Sequence, residues 1–166
     1  IEVVESTRAA GLMLSPTFIP FHPWTTPAGF LDLLTLLAEL DLIENVAPVQ
    51  LTIRLLIPNG SRILELDEMA HYLSGFDAEK LSHIWTPADP RSDHLQAKVQ
   101  DAVRQGEREG AGRWNVFQRV WELTHTACGR TATALPPVCA DIRPVAAMTE
   151  PWYCCAEPTE EQIARA

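Results

Sequence analysis

Four cysteines carry the most reactive chemistry in this 166-residue chain. They are Cys128, Cys139 and the adjacent pair Cys154 and Cys155, set in Pro151-Trp152-Tyr153-Cys154-Cys155-Ala156-Glu157-Pro158. A disulfide between neighbours closes a small strained ring, which disfavours a plain structural bridge. Three chemistries remain open. All four thiolates could ligate zinc or an iron–sulfur cluster, although their spacing matches no standard zinc or ferredoxin signature. Cys155 could be a redox thiol with Cys154 as its resolving partner. Or the thiols could be packed and idle, since free cysteine is a common core residue. The histidines add no metal signature: His71, His83, His94 and His125 lack the spacing of a His-Glu-x-x-His helix and read as surface or capping residues. Asp67 and Glu68 are neighbours that point different ways on a helix, so they do not make a carboxylate pair.

Composition narrows the classes of function. The chain is 46% hydrophobic, enough for one modest domain with a core, and its formal net charge is -9. An acidic surface repels a phosphate backbone. The one basic cluster, Arg104, Arg108 and Arg113, is interleaved with Asp101, Glu107 and Glu109 and reads as a solvated helix face, so nucleic acid is not an expected partner. No apolar run approaches the roughly 18–20 residues of a membrane span. The chain opens at Ile1 with no signal-peptide pattern, which reads as a piece excised from a longer protein. Free or metal-bound thiols without an export signal point to a reducing cytoplasm.

The elements that must position these groups follow from periodicity. The segment from Gly11 to Phe21 begins apolar but contains Pro16 and Pro20, which restricts it to an edge strand or to a strand that leaves the sheet near Pro16. Thr26 caps a helix with Pro27 in its first turn, and Phe30, Leu33, Leu34 and Leu37 form its apolar stripe, widened by Leu31, Leu36 and Leu40 and expected to lie against a sheet. Val49, Leu51, Ile53, Leu55 and Ile57 alternate with Gln50, Thr52 and Arg54, which predicts a strand ending at Pro58-Asn59-Gly60. Strand, helix and strand with short connections make a βαβ unit of a parallel sheet. Beyond Gly60 helices are expected: one over Leu66, Met69, Ala70 and Leu73, one capped by Asp77 that buries Leu81, Ile84 and Trp85, a third opened by Asp89-Pro90 with Leu95, Val99 and Val103, and a fourth with Trp114, Phe117, Val120, Trp121 and Thr124, closed near Gly129. Trp85, Trp114 and Trp121 are expected in the core. From Arg130 onward Pro136, Pro137, Pro144, Pro151 and Pro158 predict an extended tail.

The pentapeptide Cys154-Cys155-Ala156-Glu157-Pro158 resembles the tail for which the CUAEP/CCAEP-tail radical S-adenosylmethionine (SAM) proteins are named. In the selenoprotein members, selenocysteine stands where this chain has Cys155, which favours the redox or ligand readings of that position over the idle one. The resemblance extends to the front, where Pro16-Thr17-Phe18-Ile19-Pro20-Phe21-His22-Pro23-Trp24 and Val49 to Ser61 look like late barrel strands of such enzymes. It is least diagnostic in the middle helices.

The resemblance implies a [4Fe–4S] cluster and SAM in a parent enzyme, where reductive cleavage of SAM yields a 5′-deoxyadenosyl radical. The Cys-x3-Cys-x2-Cys loop that holds such a cluster is absent from this sequence, so the chain is expected to be non-catalytic alone and to depend on an upstream barrel half. The implied fold class is α+β, mainly helical, with a short βαβ-like remnant of a partial TIM-type barrel. The expected divisions are barrel strands over 1–65, a helical cap over 66–129 and the tail over 130–166. Residues at the C-terminal ends of barrel strands line active sites. That singles out His22, Trp24, Arg54 and Asn59 as contacts to SAM or to an unidentified substrate, beside Cys154 and Cys155 as catalytic thiols. For Arg54 a salt bridge to a helix carboxylate is the competing role, and for His22 an ordinary loop histidine. A truncated sheet also predicts a homodimer through its exposed edge. A stand-alone metal- or partner-binding helical module is the alternative to the enzyme portion.

Overall fold

Thr26 and Pro27 start the first long helix of the core as their chemistry requires. The Thr26 hydroxyl accepts from Gly29 N at 3.1 Å, and Pro27 occupies the first turn, where its missing N–H costs nothing. The structure, a computed structural model, describes residues 1–135. Its helices are α1 (Glu2–Ala9), α2 (Pro27–Glu39), α3 (Arg91–Glu109) and α4 (Arg113–Ala127), and its strands are β1 (Leu73–Asp77) and β2 (Ser82–Trp85). The fold is a small α+β arrangement, mostly helical. Cys139, Cys154 and Cys155, and most of the expected tail, lie outside the described residues.

The main core is helical. Phe30, Leu31, Leu34 and Leu37 of α2 meet Leu95, Val99 and Val103 of α3 and Val116, Phe117, Val120 and Trp121 of α4. Val4 of α1 and Phe21, Ile43, Val46 and Leu51 from the connecting segments complete it, so this core draws on residues from both sides of position 65. The stripe on α2 is therefore covered by helices and short turns and not by a sheet, and Leu36 on its far side stays exposed. Gly110, at φ 64°, ends α3 in the left-handed conformation that favours glycine. Gly129, at φ 69°, does the same after α4.

Three stretches differ from what periodicity predicts. The expected strand over Val49–Ile57 is half a 3₁₀ helix, Pro48–Thr52, and only Ile53 onward is extended. Pro48 presets helical φ, and Thr52 Oγ1 donates back to Val49 O at 2.8 Å. Gln50, Leu51, Thr52 and Ile53 are all buried, so the apolar–polar alternation does not mark an inner and an outer face. The expected edge strand from Gly11 to Phe21 has regular pairing only at Phe21. The helices expected over 66–73 and from Asp77 are instead two 3₁₀ turns, Arg62–Glu65 and Asp67–His71, and the antiparallel hairpin β1–β2. Asp77 caps a turn there: its carboxylate accepts from Glu79 N at 2.9 Å and Lys80 N at 3.2 Å. Helix α1 is not among the elements expected from the sequence.

What survives of the parallel unit is one bridge. Phe21 N donates to Ile53 O at 3.2 Å, and Leu55 N donates to Phe21 O at 2.8 Å, with α2 between the two segments in sequence. The chain then runs on to the hairpin, where His83 N donates to Ile57 O at 2.8 Å. A second, smaller core of Ile57, Met69 and Trp85 forms under this junction, with Trp24, Leu55, Tyr72 and Leu73 packed against it.

Candidate functional site: the turn after Phe21

The turn Pro20–Thr25 follows the parallel bridge and is held at almost every backbone group. Phe21 is tied to Ile53 and Leu55. Thr25 closes the other side: its hydroxyl donates to Pro20 O at 2.8 Å and accepts from His22 N at 3.0 Å, while Thr25 N donates to His22 O at 2.9 Å. Two contacts weld the turn to the start of α3, Ser92 Oγ donating to Thr25 O at 2.6 Å and Ala88 N donating to Pro23 O at 2.8 Å. Thr25 and Ser92 are themselves buried. The outer edge of this strand is thus occupied by Thr25, which leaves β1, paired with β2 alone among the described residues, as the accessible strand edge.

His22 and Trp24 project from this turn and touch, ring centroids 5.7 Å apart. Tyr72 meets the Trp24 ring edge-on at 6.0 Å. His22 Nδ1 and Trp24 Nε1 are both buried atoms, and neither has a hydrogen-bond partner among the described residues. Burial pushes the His22 imidazole below its ordinary value of 6.5, so the neutral ring is favoured.

Arg54 sits one bridge away and its described contacts are those of a clamp. The guanidinium bonds the Asp93 carboxylate on α3, donates to Trp85 O at 2.7 Å, and stacks 3.6 Å from the centroid of the Trp85 ring. Trp85 Nε1 in turn donates to Leu55 O at 2.9 Å. These contacts fit the salt-bridge role anticipated for Arg54. Asn59 is elsewhere: it lies on the exposed turn and its Oδ1 meets His83 Nε2 at 2.9 Å. The fold therefore brings His22, Trp24 and Arg54 to one junction and leaves Asn59 at its periphery. Tyr72, Thr25, Ser92 and Asp93 complete the junction, and sequence reasoning misses all four. The Thr25-Thr26 pair is the available signal, since two successive hydroxyls at a helix start can serve both a turn and a cap.

The histidines are less uniform than the sequence suggests. His125 is buried in the core, its Nδ1 2.9 Å from Trp121 O, and is neither a surface nor a capping residue. Trp85 is buried as expected, but on a strand, and Trp121 is buried on α4 with Nε1 donating to Thr133 O at 2.8 Å.

Cys128 is the one cysteine among the described residues, half-buried just beyond α4. Burial pushes its thiol up, partly offset by Arg130 and Arg91. No group of three His, Cys, Asp or Glu side chains among the described residues is arranged to hold a metal ion. The other three cysteines of the expected quartet, Cys139, Cys154 and Cys155, lie outside the described residues. No helix among the described residues is long and apolar enough to cross a membrane. No family model, no curated protein and no solved structure matches the chain.

Proposed function

We propose that the chain is the non-catalytic C-terminal portion of a radical SAM enzyme, which closes the barrel, shapes the substrate pocket and contributes the Cys154–Cys155 thiols as redox groups or ligands. The observation that carries the reading is the parallel bridge of Phe21 to Arg54 on either side of α2, followed at once by the His22–Trp24 turn. That is the arrangement in which strand C-termini present side chains to a ligand. The pentapeptide Cys154–Pro158 supports the same reading from the sequence. In it, SAM and the [4Fe–4S] cluster belong to cysteines outside this sequence, the partner is a cluster-bearing barrel half, and the setting is a reducing cytoplasm.

The deciding experiment is to determine the coding sequence that adjoins Ile1 and to purify its full product anaerobically. The reading expects a Cys-x3-Cys-x2-Cys triad, an iron–sulfur absorbance band and reductive cleavage of SAM, none of them expected of the 166-residue chain by itself. A reading frame without the triad overturns it.

A stand-alone metal- or partner-binding helical module is the second reading. What favours it is the main core, whose central residues Leu34, Val99 and Val120 are fully buried. One zinc per purified chain, with cooperative unfolding lost on chelation, is the result expected of that module. If a second copy associates through a strand edge, β1 is the edge it would use, and a light-scattering mass of one chain excludes that arrangement.

A further inference from the structure

We propose that Asn59 is a modification site, where the side-chain amide is lost spontaneously through attack by Gly60 N and where His83 assists the attack. The chain has three asparagines, Asn45, Asn59 and Asn115. The nitrogen that would attack each side chain is the backbone N–H of the following residue. Val46 N is committed to Ile43 O at 3.4 Å and Val116 N to Gly112 O at 3.1 Å, and each belongs to a β-branched residue that crowds the approach. Asn45 is tied down further, its Nδ2 donating to Leu14 O at 2.8 Å. Gly60 differs on each count. Its N–H and the Asn59 carbonyl have no hydrogen-bond partner among the described residues, because the turn is closed by Ser61 N donating to Pro58 O at 3.1 Å, outside that peptide group. Pro58, Asn59 and Gly60 are exposed, Gly60 sits at φ 78°, and a Cβ there would meet nothing within 4 Å. The Asn59–Gly60 peptide group can therefore rotate toward the side chain with no bond to break and no neighbour to displace.

The side chain is presented for that attack. Asn59 Oδ1 can only accept, so His83 Nε2, 2.9 Å away, is the donor. Asn59 Nδ2, the leaving group, has no partner among the described residues. His83 is itself held in place: its backbone N donates to Ile57 O at 2.8 Å, and the Phe76 ring meets its imidazole edge-on at 5.2 Å. In the first step Gly60 N bonds to Asn59 Cγ and gives up its proton, the Cγ–Nδ2 bond breaks, and ammonia leaves with that proton. The cyclic imide then takes up water. Opening at Cγ gives aspartate and opening at the backbone carbonyl gives isoaspartate, with no oxidant or reductant involved. Negative charge gathers on Oδ1 during the attack, where the His83 N–H already lies. A hydrogen bond to an oxyanion is about twice as strong as one to a neutral carbonyl, so the contact stabilises the transition state more than the ground state. The product places a carboxylate beside His83 where a neutral amide stood, and isoaspartate also lengthens the main chain of the turn.

Ageing the full 166-residue chain at mildly alkaline pH, folded and in guanidinium chloride, tests this, with peptide mass spectrometry following replacement of NH2 by OH at each asparagine. Asn59 is expected to convert while Asn45 and Asn115 in the same folded sample do not. It is also expected to convert at least as fast in the folded chain as in denaturant, where the His83 contact is lost. His83→Phe should slow conversion in the folded chain about fivefold, as loss of one hydrogen bond does, and leave the rate in denaturant unchanged. Slower conversion of Asn59 folded than denatured, Asn45 or Asn115 keeping pace with it, or a folded rate that His83→Phe leaves unchanged overturns the proposal. The first two are read on the unaltered chain, so the outcome does not depend on a variant folding. The measurement requires neither iron nor SAM, so its failure is separate from failure of the radical SAM reading.

Discussion

Replacing Gly106 by alanine tests the packing that carries the whole platform, the contact of α3 with α4. A Cβ at Gly106 would lie 2.5 Å from Val116 Cγ2 and 3.7 Å from Val116 Cβ and Cγ1. Valine in a helix has one strongly preferred rotamer, and Val116 is only 2% exposed, so it cannot turn aside. The helices must separate instead, and overpacking of this kind costs about 1–3 kcal/mol. Against that, alanine is favoured over glycine inside a helix by about 1 kcal/mol. The clash wins by about 1 kcal/mol, which lowers Tm by about 3 °C in a chain of this size. The diagnostic is a change of sign. In a Val116→Ala background the obstruction is gone, and Gly106→Ala is expected to stabilise by about 0.5–1 kcal/mol. Urea unfolding followed by far-ultraviolet circular dichroism on the four variants measures the cycle. If Gly106→Ala stabilises both backgrounds equally, the close approach of α3 and α4 at this point is wrong.

Further outcomes are expected at Arg54 with its partner Asp93, at Thr26, at His22 and at Cys128. Arg54→Lys keeps a charge but loses the fork that joins Asp93 to Trp85 O, and should lower stability by about 1–2 kcal/mol in urea unfolding. Asp93→Asn should cost less, because the Asp93 side chain is 42% exposed and its attraction is screened. Thr26→Ala removes the cap of α2 and should cost about 1 kcal/mol, recovered by Thr26→Ser. His22 is held below its ordinary value of 6.5 by burial, so the unfolded chain takes up a proton there before the folded one does. Stability attributable to His22 is therefore complete above 6.5 and falls as pH drops from there through the folded-state value, and His22→Gln should flatten that slope in thermal melts between neutral and mildly acidic pH. Burial also raises the Cys128 thiol, so iodoacetamide at neutral pH should label Cys128 more slowly in the folded chain than in urea, as read by peptide mass spectrometry.

The long helices were legible because their signals are local. Thr26-Pro27 at one end of α2, the four-residue spacing of Leu95, Val99 and Val103 in α3, and glycines 110 and 129 after α3 and α4 each act within a turn or two of chain, so no distant partner was needed to read them. The parallel approach of the segments flanking α2 was legible for a similar reason, since a helix with short connections leaves little other choice. What lay between Pro48 and Trp85 was not. Short apolar runs there fit more than one period, and the outcome was set by contacts far away in sequence, such as His83 with Ile57, Gln96 Nε2 with Thr52 O, and by Asp77 turning its carboxylate onto its own backbone. The candidate site divides along the same line. Residue types placed His22, Trp24 and Arg54 near strand ends. That Arg54 is committed to Asp93 and Trp85, while one nitrogen each of His22 and Trp24 finds no partner among the described residues, is a property of tertiary packing, because it depends on which groups three separate segments bring within hydrogen-bond reach.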